Sequence, residues 1–172
     1  DAPVAGRGRL RISADSFDFF ADEGVVGVDA SRRIKGIVLH DILSHVFMPD
    51  DLDDAVAKAV AAGTLSAQQA GQARTLLSER ILAVSDRGWF PGKQARVLNE
   101  VSLIDSDGEV LRPDRVVISG DKVSIVDYKF GDHYRKYERQ LRRYADVWRR
   151  MGYEDVTASI WYVPEGEIVD VV

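Results

Sequence analysis

Residues 113–129 read PDRVVISGDKVSIVDYK, a run of valines and isoleucines suited to a buried strand pair but interrupted by Asp114, Asp127 and Lys129. Charges held in an interior are costly unless they are paired or hold a metal, so the placing of these three decides how the segment is read. Gly120-Asp121 is a two-residue hairpin signal. It puts Ser119 opposite Lys122 and, counting back along both strands, Asp114 opposite Asp127. Directly opposed residues carry Cβ atoms about 4.5–5.5 Å apart. Lys129 shares their face because side chains alternate along a strand. Val116, Ile118, Val123 and Ile125 lie there too, which makes it an interior face.

The same counting reaches Glu100. A three-residue loop Ser106-Asp107-Gly108, with Gly108 left-handed as a bulge, sets Glu100 opposite Asp114. A two-residue loop Asp107-Gly108 would pair Glu100 with Arg115 on the other face instead. In the first register Glu100, Asp114, Asp127 and Lys129 converge on one face of three adjacent strands. A single lysine does not neutralise three carboxylates, whereas a hard divalent cation such as Mg²⁺ or Mn²⁺ does. The plainer alternative is an exposed sheet surface with an Asp–Lys salt bridge.

Around this stretch the chain divides by pattern. KGIVLHDILSHVF (35–47) has helical spacing of Ile37, Leu39, Ile42, Leu43 and Val46 and is stopped by Pro49. DDLDDAVAKAVAAG is a second helix with an acidic first turn and Gly63 at its end, and Ser66 caps a third running to about Val84. RGWFPG (87–92) is a joint. Beyond it ARVLNEVSLID, EVLRPDRVVIS and KVSIVDYKF form a three-stranded meander, followed by a helix over about 134–151, the strand VTASIWYV, the turn PEGE and a short strand IVDVV. The expected fold is a single α/β domain with a mixed sheet, over residues 1–172: a lead-in (1–32), a helical part (33–86), and a sheet with the helix that follows it (93–172).

Composition excludes several function classes. The 172 residues are 45% hydrophobic and 30% charged, with no cysteine, so disulfides, thiolate zinc sites and cysteine-held iron–sulfur clusters are absent. No stretch reaches the length of a membrane span, and DAPVAGRGRLRIS has no signal-peptide core, so a cytoplasmic location is expected. The net charge is −5, yet residues 134–150 hold seven basic residues, Arg135, Lys136, Arg139, Arg142, Arg143, Arg149 and Arg150, against only Glu138 and Asp146. Tyr137, Leu141, Tyr144, Trp148 and Met151 recur there at helical spacing, first of all as a packing stripe.

Taken together these residues resemble the PD-(D/E)xK nuclease superfamily, specifically the RecB/AddA-type nuclease domains at the C-termini of UvrD-like helicase-nucleases. The signature is Pro113-Asp114, twelve residues, then Asp127-Tyr128-Lys129. GIVLH (Gly36 to His40) is similar to the G-x-x-x-H motif on the helix before the core, QLRRY (Gln140 to Tyr144) to the Q-x-x-x-Y motif after it, and Glu100 stands where the family has its first core acid. The resemblance implies a restriction-endonuclease-like α-β-β-β-α-β core and one or two Mg²⁺ or Mn²⁺ ions. It implies His40, Asp114, Asp127 and the Tyr128 backbone carbonyl as metal ligands, Glu100 as a further acid, and Lys129 as catalytic base or transition-state stabiliser. Arg135, Arg139 and Arg143 would contact phosphates, with Gln140 and Tyr144 nearest the cut strand. His45 and His133 match no motif.

The implied activity is metal-dependent hydrolysis of DNA, as an exonuclease acting on ends in recombinational repair, close to the nucleoid. There is no G-x-x-x-x-G-K-[ST] loop, so a helicase motor would lie elsewhere in a longer polypeptide or in a partner. A non-catalytic DNA-binding module of the same fold and a stand-alone restriction-like endonuclease are the alternatives, and RNA stays open as a substrate.

Overall fold

The computed structural model describes residues 28–172, with side chains from residue 35 onward, so nearly all of the 1–32 lead-in lies outside the described residues. The first helix, α1 (Val28–Ser44), starts earlier than the apolar spacing predicts and stops before Val46. It buries Val38, Leu39, Ile42 and Leu43. A short 3₁₀ turn, Pro49–Asp51, leads into α2 (Leu52–Ala61), the Asp51 carboxylate accepting the N–H groups of Phe47 and Met48. α3 (Ala67–Ala83) begins at Ser66 with the expected reciprocal cap: Ser66 Oγ accepts Gln69 N–H, and the Gln69 side chain accepts Ser66 N–H. These three helices pack on one face of the sheet.

The sheet strands are β1 (Arg96–Asn99), β4 (Arg115–Ser119), β5 (Lys122–Lys129), β6 (Asp155–Tyr162) and β7 (Glu167–Asp170), in the order β1-β4-β5-β6-β7. β5 and β6 run parallel, joined by α4 (Arg135–Arg150), and the other pairs are antiparallel. Alternation splits the core between two layers. Val126, Tyr128, Trp161 and Val163 face α1–α3, while Val116, Val123, Ile125, Ala158 and Ile160 face Tyr137, Leu141, Tyr144, Ala145 and Trp148 of α4. Met151, expected in that stripe, lies past the end of α4 and is exposed.

The hairpin registers are those expected: Ser119 opposes Lys122, Arg115 opposes Val126, Arg96 opposes Ile118. Gly108 is left-handed at φ 79°. The first two meander strands, however, are not continuous. Beyond Asn99 and before Arg115 the ladder leaves the main sheet and resumes as a separate ribbon of β2 (Leu103–Ile104) and β3 (Val110–Leu111), still in register with Leu103 opposite Leu111. Glu100 marks the break, a non-glycine residue at φ 53° whose carbonyl accepts Arg112 Nε–H at 2.9 Å. Such a backbone costs of the order of 1–3 kcal/mol and redirects the chain. Pro113 on the facing segment lacks an N–H for the ladder.

Gly36 explains how α1 approaches the sheet end. A Cβ there would meet Phe130 Cβ at 3.2 Å, a tight contact that Phe130 must yield to by a few tenths of an ångström, so glycine eases the close approach by which the helix carries His40, four residues on, over the end of β5. Gly36→Ala should shift stability by no more than about 1 kcal/mol, helix propensity offsetting the tight contact. Gly36→Leu should cost about 1–3 kcal/mol by overpacking, read by chemical unfolding. Equal costs for the two would show that Phe130 does not set the approach.

Candidate active site

The site forms where β4 runs out. Its ladder with β5 ends at Arg115 opposite Val126. One step further, the side chain of Asp114 takes over, its Oδ2 accepting the N–H of Tyr128 at 2.7 Å. The next carbonyl, that of Lys129, accepts Val163 N–H on the β6 side, so strand alternation turns the Tyr128 carbonyl to the β4 side, where Asp114 lies. Asp114 Oδ1 lies 2.7 Å from Nε2 of His40, which α1 brings in from the helical layer. On β5 itself, Lys129 Nζ is 2.7 Å from Asp127 Oδ2 and 4.2 Å from the centre of the Tyr137 ring. Asp127 and Lys129 are only 4% and 7% exposed, so the pair is an interior one.

Two carboxylates this close in a desolvated corner cannot both ionise freely. Burial, and then the charge of Asp114, pushes Asp127 up to about 7 against the pull of Lys129. For Asp114 burial acts upward too, but the charge and hydrogen bond of His40, with Lys129 behind them, bring it down to about 2. Burial acts to lower His40, yet Asp114, Glu100 and Asp127 outweigh it and raise the imidazole to about 9. Lys129 is likewise held above its ordinary value, burial being outweighed by Asp127 and Asp114. His40 and Lys129 are therefore cations at neutral pH, each facing one carboxylate.

Two carboxylates, an imidazole nitrogen and a strand carbonyl are a donor set that fits a hard divalent cation. Among the described residues no three such side chains stand together in ligating geometry: His40 and Asp114 bond each other, and Lys129 engages Asp127. A cation entering here would displace the proton that His40 retains to about 9. Glu100 hydrogen-bonds through its N–H to the Asp114 carbonyl, as the register requires, but its carboxylate lies 3.4 Å from Arg112 and is partly exposed. It contributes to the field at His40 from the rim.

The residues expected on a nucleic-acid face separate. Arg135 and Arg139 are exposed and Gln140 is half-buried. Arg143 is ion-paired with Asp105 and with Glu109, at 2.7 Å from the latter, and so is clipped to the β2–β3 ribbon. Tyr144 is not on the surface at all: it is 3% exposed, in the core stripe with Leu141 and Trp148. Its three- and four-residue spacing from Leu141 and Trp148 already placed it in that stripe.

Two features went unforeseen. Tyr137 supplies an aromatic face under Lys129, and Arg115, one residue from Asp114, is fully buried on the opposite side of the sheet. Sequence parity assigns Arg115 to that side, but nothing in the local pattern says what a guanidinium would bond there. His45 and His133 are exposed; His133 stacks on Tyr162 at 3.7 Å between ring centres.

A mixed sheet with helices on both faces and acids converging at the end of the central hairpin defines a restriction-endonuclease-like fold. The chain belongs to the PD-(D/E)XK nuclease superfamily, whose family model it matches over residues 16–170. No curated protein matches it. Membership makes it a phosphodiester-hydrolysing nuclease of a class that generally uses divalent metals. No helix among the described residues is long and apolar enough to cross a membrane.

The titration of Asp127 gives a signed test. A carboxyl raised in the folded state adds stability below its unfolded value, and that stability is lost as pH rises through the folded value of about 7. In EDTA, the melting temperature of Asp127→Asn minus that of the wild type should therefore rise between pH 4 and pH 7. A difference independent of pH would mean that Asp127 is not strained.

Proposed function

We propose that the chain is the nuclease domain, over residues 1–172, of a RecB/AddA-type helicase-nuclease. On this reading it hydrolyses DNA with Mg²⁺ or Mn²⁺, degrading ends in recombinational repair in the cytoplasm at the nucleoid. A UvrD-like motor in the same polypeptide or complex feeds it DNA. The observation that carries the nuclease chemistry is the convergence of Asp114, Asp127, Lys129 and His40 at one strand end. The helicase context rests on the order of motifs, with Gly36-x-x-x-His40 before the core and Gln140-x-x-x-Tyr144 after it.

His40, Asp114, Asp127 and the Tyr128 carbonyl would hold the cation, which when bound lowers the pKa of a coordinated water and withdraws charge from the phosphate. Lys129 is kept protonated by Asp127 and Asp114. That favours a role in orienting the attacking water and neutralising developing charge on the phosphoryl oxygens. Tyr137 fixes the ammonium from below. Glu100, at the rim, adds negative field for the cation. Arg135 and Arg139 remain open to the phosphates of the incoming strand, and Arg143 can join them only by leaving Asp105 and Glu109. Gln140 would lie nearest the cut strand, with Tyr144 supporting it from the core.

End-labelled linear and closed circular single-stranded DNA, incubated with Mg²⁺, Mn²⁺ or EDTA, would test this. Cleavage should need the metal, shorten DNA from its ends, and fall by at least ~10²-fold in Asp127→Ala and in Lys129→Ala. Metal-dependent cutting that survives both substitutions would sink the assignment of this centre. Rapid cutting of the circle would make the enzyme an endonuclease.

A further inference from the structure

Arg115 has no exposed surface, and every group it bonds is neutral. Nε–H donates to the Tyr128 hydroxyl at 2.6 Å, one terminal nitrogen donates to the Trp89 carbonyl at 3.0 Å, and the other to the Val46 carbonyl. The guanidinium lies 4.0 Å from the centre of the Phe90 ring. Among the described residues no carboxylate pairs with it. A buried cation without an anion is expensive, and filling this space would be cheaper with leucine or methionine. What an apolar residue lacks is the rigid fork of donors that binds several acceptors at once.

Those acceptors lie on separate segments. Val46 follows the end of α1, Trp89 and Phe90 belong to the joint between helices and sheet, and Tyr128 sits on β5 between Asp127 and Lys129. Tyr128 is the pivot. Its hydroxyl is held by Arg115, its N–H by Asp114 Oδ2, and its ring meets the His40 ring edge-on with centres 5.7 Å apart. The Val46 carbonyl that Arg115 binds lies two residues past the end of α1, the helix that carries His40. Holding Tyr128 fixes the strand against which Asp114 is aligned.

We propose that Arg115 is a positioning residue: from the far side of the sheet it holds α1, the 87–92 joint and Tyr128 in the one arrangement that keeps His40 and Asp114 in contact. As a role in catalysis this rests on the nuclease reading above. As a statement about geometry it stands apart from that reading.

The experiment compares the full chain with Arg115→Lys and Tyr128→Phe, the second keeping the ring and removing only the hydroxyl that Arg115 bonds. Three readouts are taken well below the melting temperature: kcat and KM for DNA cleavage, Mn²⁺ affinity by calorimetry, and nuclear Overhauser contacts between the His40 ring and the aromatic ring at position 128 in EDTA. Both variants should lose about 10-fold or more in kcat or Mn²⁺ affinity. KM should stay within about twofold, and the ring contacts should weaken. A lower melting temperature with kcat, Mn²⁺ affinity and ring contacts unchanged would overturn the proposal and leave Arg115 a purely structural residue. If Arg115→Lys does not fold, Tyr128→Phe decides alone. If the wild type neither binds Mn²⁺ nor cuts DNA, the nuclease reading fails separately. The ring contacts in EDTA then decide the positioning role, their persistence in Tyr128→Phe refuting it.

Discussion

Asp114 and Asp127 stand within each other's field where water is nearly excluded, and much of the surrounding structure can be understood as a response to that repulsion. Coulomb energy at such separations is several-fold larger than in solvent. The chain answers with three kinds of donor: the ammonium of Lys129 on Asp127, the imidazole of His40 on one oxygen of Asp114, and the backbone N–H of Tyr128 on the other. The offset is unequal. Asp114 gains two donors and ionises readily, while Asp127 is left resisting ionisation until about pH 7. The corner thus holds one strained carboxyl, Asp127, beside one carboxylate, Asp114, whose charge is met by an imidazole and a peptide N–H.

The strands are cut to the needs of this pair. Had β4 continued, Asp114 would be a ladder residue whose neighbouring peptide groups satisfied β5, and its carboxylate would not be needed at Tyr128. By ending at Arg115 the strand leaves an open edge on β5, and a side chain enters the ladder in place of the backbone. The left-handed turn at Glu100 and the missing N–H of Pro113 produce that ending from both sides. This also lets His40 reach across. It belongs to the helical layer on the other face, yet it meets Asp114 because no further strand residue stands between them at the sheet end.

Register was legible in the sequence because it depends on short-range chemistry: Gly120-Asp121 and Gly108 admit few turns, and pairing follows by counting. The meeting of Asp114, Asp127, Lys129 and His40 followed from that and from motif spacing, whereas the Glu100 carboxylate, expected among them, lies at the rim beside Arg112. The break at Glu100 was not legible, since glutamate carries no local preference for a left-handed backbone and the groups found at the kink, the Arg112 side chain on the Glu100 carbonyl and the departing ribbon, lie elsewhere in the sequence. Tyr144 was drawn toward the surface by its place in a motif, whereas its helical phase with Leu141 and Trp148 already assigned it to the core. Where phase and motif compete for one residue, burial of apolar area decides where the side chain goes.

Arg115 shows the opposite limit. Its parity put it on the far face, where an apolar residue would be ordinary, and only the three-dimensional meeting of the Val46 and Trp89 carbonyls with the Tyr128 hydroxyl gives a guanidinium something to bind. None of these partners is near it in sequence. The two faces of the sheet thus hold unlike charges for unlike reasons: carboxylates that repel on one, and a cation dispersed over neutral acceptors on the other. The strand end at Asp114-Arg115 is the short span of backbone through which the second can govern the first.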